Sequence, residues 1–462
     1  MKISLKTLGV LQEASFSLGE LTIICGKNNT GKTYATYALF GFLSTWRETI
    51  SIQIPERFLE TLLSEGSVSI DINEFIKDTA SILRKGCENY TKKIPEIFAA
   101  PSDRFTGSEF FVTLSQDDYQ HNVQFERRMK AAEADIFLLT KKYDSNELVI
   151  TLLAEKGQLK VPHNVIIQII SDAIKEIIFG KSFPKPFIAS AERTGAAIFR
   201  KELNFARNRL LEEISQNDRK IKPLEILTKN YQDYPLPVKT NVDFTRDLET
   251  IAKDKSFLCE KHADILDDFA DIIGGEYMVT RADELYFAPR GKKIKLPMDE
   301  SSSAVRSLLD IGFYLRHVAK LGDLLMIDEP ELNLHPENQR RMARLFARLV
   351  NAGVKVFITT HSDYIIKELN TLIMLKGKKP HLKDICSRWK YKSAELLTAE
   401  KVKVFIAEEA LLKREGKTRN SRVQTLTQAD VNQEQGIEAR SFDATIEDMN
   451  QIQDEIIWGG EE

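Results

Sequence analysis

Apolar positions change their spacing several times along this 462-residue chain, and each change predicts an element. Leu21 to Cys25 is a short run of strand type, followed by a Gly/Asn-rich turn and a helical stretch from Lys32 to about Trp46. From about 51 to 180 the pattern is mixed. Helical stretches at Pro55 to Leu63 and Val165 to Ile178 flank a polar, aromatic-containing middle around Asp117 to Arg128. KPFIASA, Lys185 to Ala191, returns to a strand pattern next to Pro184 and Pro186. Residues 199 to 222 carry Phe199, Leu203, Ala206, Leu210 and Ile214 at three- and four-residue spacing, an apolar stripe on a charged helix that Pro223 ends.

Residues 276 to 296 read as strands, and Ser301 to Leu321 as a serine-capped helix with Val305, Leu308, Leu309, Gly312, Phe313 and Leu315 on its apolar face. Leu324 to Ile327 and Val354 to Thr359 are apolar runs of buried parallel-strand type. The helix between them carries Arg340, Arg344 and Arg348 along one face. Strands alternating with helices in this way predict the α/β class.

Composition narrows the function classes. Lys+Arg total 65 and Asp+Glu 68, a balance of −3 that excludes nucleic-acid binding driven by bulk charge. No apolar run reaches the ~18 residues that span a bilayer, and MKISLKTLGV lacks the apolar region of a signal peptide, so a cytoplasmic protein is expected. Cys25, Cys87, Cys259 and Cys386 are far apart and form no CxxC pair, which predicts reduced thiols and no thiolate zinc site.

The chemistry begins at Gly26-Lys27-Asn28-Asn29-Thr30-Gly31-Lys32-Thr33, a GxxxxGK[ST] phosphate loop between a predicted strand and a predicted helix. Its glycines allow successive N–H groups to converge on one anion, and the helix N-terminus adds positive potential. This predicts ATP binding, with Lys32 on the β and γ phosphates and Thr33 on Mg²⁺. Downstream, LLMIDEPE ends an apolar strand in two acids: Asp328 is expected to hold Mg²⁺, and Glu329 to orient or deprotonate the attacking water. His361 ends the next strand and is expected to face the γ-phosphate. Ser302 and Ser303 open the serine-capped helix, where plain capping and anion binding are both open readings.

In this order GKNNTGKT, SSSAV, LLMIDEPELNLHP and TTHSD resemble the ABC-type P-loop ATPase heads, a family that includes the SMC proteins. The resemblance implies a head with mixed α/β and helical insertions, ATP and Mg²⁺ as cofactors, and ATP hydrolysis. It also implies a head-to-tail dimer in which Ser302 and Ser303 of one copy cap the γ-phosphate held by the other. Asn333, Leu334 and His335 match the stretch that touches the partner copy in that family. The transporter Gly-Gly signature is missing, and neither a Gln loop nor an adenine-stacking aromatic is assignable. The 199 to 222 stripe ends after about six turns, too short for an SMC coiled coil.

FIASAERTG and ESSSAVRSLL resemble segments of ATPases related to the overcoming-lysogenization-defect nucleases. Those nucleases use an added Toprim domain with an Asp-x-Asp pair, and this sequence contains no DxD tripeptide. Over its whole length, including the C-terminal SFDATIEDMNQIQDEI, the chain resembles the ATPase subunits of two-gene phage anti-restriction-induced defence systems. This resemblance implies a sensor and scaffold built as a homo-oligomer of head-to-tail dimers, a hexamer among the options. That assembly holds a Toprim nuclease encoded separately and releases it when a phage trigger protein, a DNA mimic being one candidate, is sensed. The chain itself is expected to have no nuclease activity. The alternative is a DNA-repair ATPase of the RecF kind that binds DNA directly, favoured by the basic residues Lys376, Lys378, Lys379, Lys383, Arg388, Lys390 and Lys392. The expected domains are a head over 1 to 378, with insertions at about 51 to 180 and a helical one at about 196 to 265, and an α/β extension over 379 to 462 that binds a partner or trigger.

Overall fold

The computed structural model describes residues 1–115, 118, 124–131, 134–153, 161–199, 234–280, 284–413, 420–438, 451 and 453. Nearly all of the 199 to 222 stripe and the centre of the Asp117 to Arg128 stretch lie outside these residues, as do nearly all of residues 439 to 462. The chain divides into two compact units. The first comprises Met1–Ser4, Gly41–Ile94 and Ser108–Lys185. It contains a four-stranded antiparallel sheet in the order Ser67–Asp71, Glu147–Leu152, Ala134–Lys141, Phe125–Ala131. An aromatic cluster fills its core: the Phe42 ring meets Tyr90, Phe110 and Phe183 at 5.4, 5.1 and 5.2 Å, and Trp46 meets Phe183 at 5.2 Å. Rings at these separations add about 0.5–1.5 kcal/mol per pair beyond the area they bury. The helices expected in this stretch form at Glu56–Glu65 and His163–Phe179.

The second unit comprises Leu5–Phe40, Pro95–Gly107 and Pro186–Glu462. Its six-stranded sheet runs Asn420–Ala429, Val402–Lys413, Leu21–Cys25, Lys355–Thr360, Leu324–Asp328, Pro186–Ala189. All neighbours are parallel except the antiparallel edge strand Asn420–Ala429. Leu21–Cys25 and Leu324–Asp328 are buried at every position, as continuous apolar runs in a parallel sheet require. Register aligns Cys25 with Thr360 and Asp328 with Thr359, so three carboxyl ends open at one edge of the sheet. At the other side of the sheet Asn241 closes the edge strand, its side chain accepting from Ser190 N (2.8 Å) and donating to the Ile188 carbonyl. Val402–Lys413 belongs by sequence to the segment expected as an extension beyond 378, yet it pairs directly with Leu21–Cys25 in the centre of this sheet. Among the described residues no helix is long and apolar enough to cross a membrane.

One expectation needs correction. The helix expected over Ser301 to Leu321 is three short pieces: Ser303–Ser307, Leu309–Phe313 and a π-helical turn Tyr314–Val318. The break falls at Leu308, and the preceding carbonyl, of Ser307, accepts from Arg193 Nε at 2.7 Å. A carbonyl drawn to a side chain is lost to the helical ladder. The arginine face of Pro336–Asn351 is used within the fold. Arg340 and Arg344 both reach the buried Glu368 (2.7 and 2.6 Å), and Arg348 pairs with Asp264 and Asp268.

Candidate active site

The phosphate loop leaves the strand Leu21–Cys25 at Gly26 and enters the helix Lys32–Thr49 after Gly31. Gly26 has φ +139°, and a β-carbon there would sit 2.5 Å from the Ala407 carbonyl oxygen, so only glycine fits against that strand. Asn29 and Gly31 are also left-handed, at φ 63° and 95°. Lys32 is 6% exposed, and its ammonium donates to the carbonyl oxygens of Gly26 (2.9 Å) and Lys27 (2.8 Å). Burial lowers its pKa, while Glu329, Asp328 and Glu331 act to raise it. Thr30 closes the loop by donating to the Lys27 carbonyl at 2.7 Å. The side chains of Lys27, Asn28, Asn29 and Thr33 are exposed. A cleft of about 570 Å³ is lined by residues 28–33 with Val10, Tyr34 and Glu329, which brings the loop and the second acid together.

Asp328 lies at the end of its strand with Oδ2 3.4 Å from the Thr33 hydroxyl, and its Oδ1 accepts from Thr359 Oγ1. Burial pushes its carboxyl up to about 6, with Thr359 opposing and the nearby Glu329 adding to the rise. Glu329 adopts φ +51°, which costs a non-glycine residue about 1–2 kcal/mol and turns its side chain out of the strand direction. Its N–H donates to the Thr359 carbonyl at 3.1 Å. His361 Nδ1 is 3.8 Å from Glu329 Oε1 and 3.2 Å from Glu331 Oε1.

Three further residues were not singled out as functional in the sequence. Glu331 is buried and Oε1 accepts from Thr360 Oγ1 (2.9 Å) and His361 N (2.8 Å), which fixes the turn that carries the histidine. Arg193, 1% exposed, donates to four main-chain carbonyls around the acidic strand end. Glu192 accepts from the Tyr37 hydroxyl at 3.0 Å and contributes to the raised pKa of Asp328. The sequence signals for the last two were their place just beyond a predicted strand end and within FIASAERTG, neither of which gave them a role.

Ser302 and Ser303 do not line the cleft. Both are exposed; Ser302 is the N-cap of Ser303–Ser307, its Oγ accepting from Val305 N at 3.3 Å. Of the stretch expected to touch a partner copy, Leu334 is instead packed into this chain's own core. His335 caps its own helix by accepting from Glu337 N, and Asn333 is exposed at φ 60°. Among the described residues no group of three or more His, Cys, Asp or Glu could hold a metal ion by itself. One carboxylate and one hydroxyl suffice for Mg²⁺, which takes its remaining ligands from water and substrate phosphates.

No curated protein sequence matches the chain. Two solved structures align with it over most of their length. One is an Smc head bound to the C-winged helix domain of ScpA: 10% identity over 92% of this chain and 97% of that one, TM-score 0.31. The other is a Pyrococcus furiosus Smc head domain with an extended coiled coil bound to the C-terminal domain of ScpA: 12% identity over 98% of both chains, TM-score 0.29. Likenesses this distant add nothing to the assignment. The phosphate loop, the acidic strand end and four of the six strands of the sheet that aligns them fall within residues 1–366, which match the AAA ATPase domain family, and the chain belongs to that family.

Proposed function

We propose that the protein is an ABC-type ATPase whose nucleotide site is completed by a second copy, and that it serves as sensor and scaffold in antiphage defence. The observation that carries the ATPase reading is the placement of Lys32 and Thr33 against Asp328 and Glu329 at the carboxyl edge of one parallel sheet, Thr33 Oγ1 lying 3.4 Å from Asp328 Oδ2. Lys32 and the loop N–H groups would neutralise the β and γ phosphates. The residues fit Mg²⁺, because a buried carboxylate with a raised pKa favours a cation beside it, and Thr33 and Asp328 would hold the ion. Bound Mg²⁺ supplies charge neutralisation on the phosphate oxygens. Glu329, held out into the cleft, orients a water and takes its proton. His361, steadied by Glu331, faces the same side.

Substitution tests this directly. Lys32→Ala is expected to abolish Mg²⁺-dependent ATP hydrolysis. Glu329→Gln is expected to cut turnover by 10²–10⁴-fold, roughly what a general base contributes, while sparing ATP binding. Hydrolysis by Glu329→Gln at the wild-type rate refutes the assignment of the base.

The defence role rests on the resemblance of FIASAERTG and ESSSAVRSLL and on the lack of a DxD pair in the sequence. In this reading a homo-oligomer of head-to-tail dimers binds a separately encoded Toprim nuclease. A phage protein shifts the assembly between states that hold and free the effector, for which a differential affinity on the order of 5 kcal/mol suffices. The purified chain alone should then cut neither DNA nor tRNA with Mg²⁺ or Mn²⁺ and ATP. A second reading, direct DNA binding in repair, draws on the basic segment Lys376 to Lys392, most of which is exposed. Duplex titrations at graded salt separate the two, since DNA gripping predicts a steep fall of affinity with salt.

A further inference from the structure

The side chain of Arg193 is fully buried, yet no ion pair among the described residues joins it to a carboxylate. Its guanidinium is used on carbonyls. Nη1 donates to Ser190 O (2.8 Å) and Asp328 O (2.6 Å), Nη2 to Glu329 O (2.8 Å), and Nε to Ser307 O (2.7 Å). These four acceptors belong to three separate segments: the end of the edge strand, the acidic strand end, and the serine helix. Only a planar fork of donors can satisfy them together, which a lysine ammonium cannot do.

Two local features meet at that fork. Glu329 sits at φ +51°, with its N–H held by Thr359 and its carbonyl by Arg193. Such a backbone persists only where its surroundings over-determine it. The serine helix stops after one turn at the carbonyl that Arg193 takes, which sets where Ser302 and Ser303 stand relative to the acidic strand.

We propose that Arg193 is the positioning residue that holds the Glu329 carboxylate and the serine helix in one frame, so that movement of the serines is transmitted to the catalytic base. This rests on the ATPase reading above. Without the fork the Glu329 backbone relaxes toward ordinary φ and its carboxylate moves. A misplacement of roughly 1 Å at a reacting group lowers turnover about 100-fold.

The test compares wild type with Arg193→Lys and Arg193→Gln, each checked for fold by circular dichroism and Tm, and measures kcat, KM and ATP affinity. The expected result is kcat lowered about 100-fold with ATP affinity changed less than about threefold. In a Glu329→Gln background Arg193→Lys should add little further loss, because the group it positions is gone. Folded variants with wild-type kcat, or with kcat and affinity falling together, overturn the proposal while leaving the ATPase reading intact. A wild-type chain that neither binds nor hydrolyses ATP overturns that reading and this proposal with it. Should neither variant fold, hydrogen exchange on the wild-type chain decides. Adding ATP must change protection at Glu329 and in Ser303–Ser307 together, and a change in one alone overturns the shared frame.

Discussion

The acidic strand end and the serine helix start are both polar, lie 25 to 27 positions apart in sequence, and are built in opposite ways. At the first, Asp328 and Glu331 are buried, and neighbouring threonines and a main-chain N–H bond to Asp328 Oδ1 and Glu331 Oε1. At the second, Ser302 and Ser303 are exposed at the start of a five-residue helix, and among the described residues the Ser302 hydroxyl makes only a cap contact at 3.3 Å. One surface is preorganised for chemistry; the other offers donors and a helix start to something outside its own cleft. On the ATPase reading proposed above, the difference teaches that a single chain would carry a finished base and metal ligand but an unfinished phosphate enclosure.

The largest expected effect breaks the comparison if it fails. Lys32→Ala and Ser303→Arg chains, each inactive alone, should recover on mixing about a quarter of wild-type activity, since half of random head-to-tail pairs keep one intact site of two. No recovery in verified mixed assemblies means the serines complete no site in trans. Next, Gly26→Ala should lose about 1–3 kcal/mol of stability and weaken ATP binding, because it combines strained φ with a clash against the Ala407 carbonyl. Thermal melts with and without ATP read both. A smaller loss, about tenfold in turnover with binding spared, is expected for Glu331→Gln, which removes the charge steadying His361. Steady-state kinetics that match wild type would leave Glu331 a merely structural acid.

The smallest effect concerns Asp310, buried behind the serine helix with Thr245 Oγ1 donating to it at 3.0 Å. Burial pushes its carboxyl up to about 7, against an ordinary value near 4. The folded state therefore binds the proton more tightly than the unfolded chain does. Its contribution is full below about pH 4 and is lost as pH rises through about 7. Asp310→Asn should accordingly be more stable than wild type by a few degrees of Tm at pH 8, and that gain should vanish toward pH 4. A Tm difference independent of pH would show that Asp310 does not titrate in this range.

Much of this was legible because the signals are local. The phosphate loop and the acidic strand end are contiguous residues whose spacing is the chemistry, and the buried strands announce themselves as apolar runs. Arg193 was not legible. Its acceptors are carbonyls, which leave no mark in a sequence, and three of the four lie 114 to 136 residues away. For the same reason the helix pattern over Ser301 to Leu321 looked unbroken, since nothing in its apolar spacing shows that a distant guanidinium takes the Ser307 carbonyl. Arg340, Arg344 and Arg348 were legible as a row on one helix face, but their partners Glu368, Asp264 and Asp268 come from other helices, which the spacing of the row does not show.

The place of Leu21–Cys25 in its sheet bears on how the molecule is made. This strand precedes the phosphate loop, yet its two neighbours are Lys355–Thr360 and Val402–Lys413, both contributed near the other end of the chain. Pairings of such separation carry a large loop-closure cost and form late. On a ribosome adding about 5–20 residues per second, the strand waits tens of seconds for partners that have not yet been synthesised. Until then the glycine-rich turn has no wall at Ala407 to lean on. Nascent or truncated chains ending before Val402 are thus expected to be blind to ATP, which delays any nucleotide-driven assembly until that strand has been made.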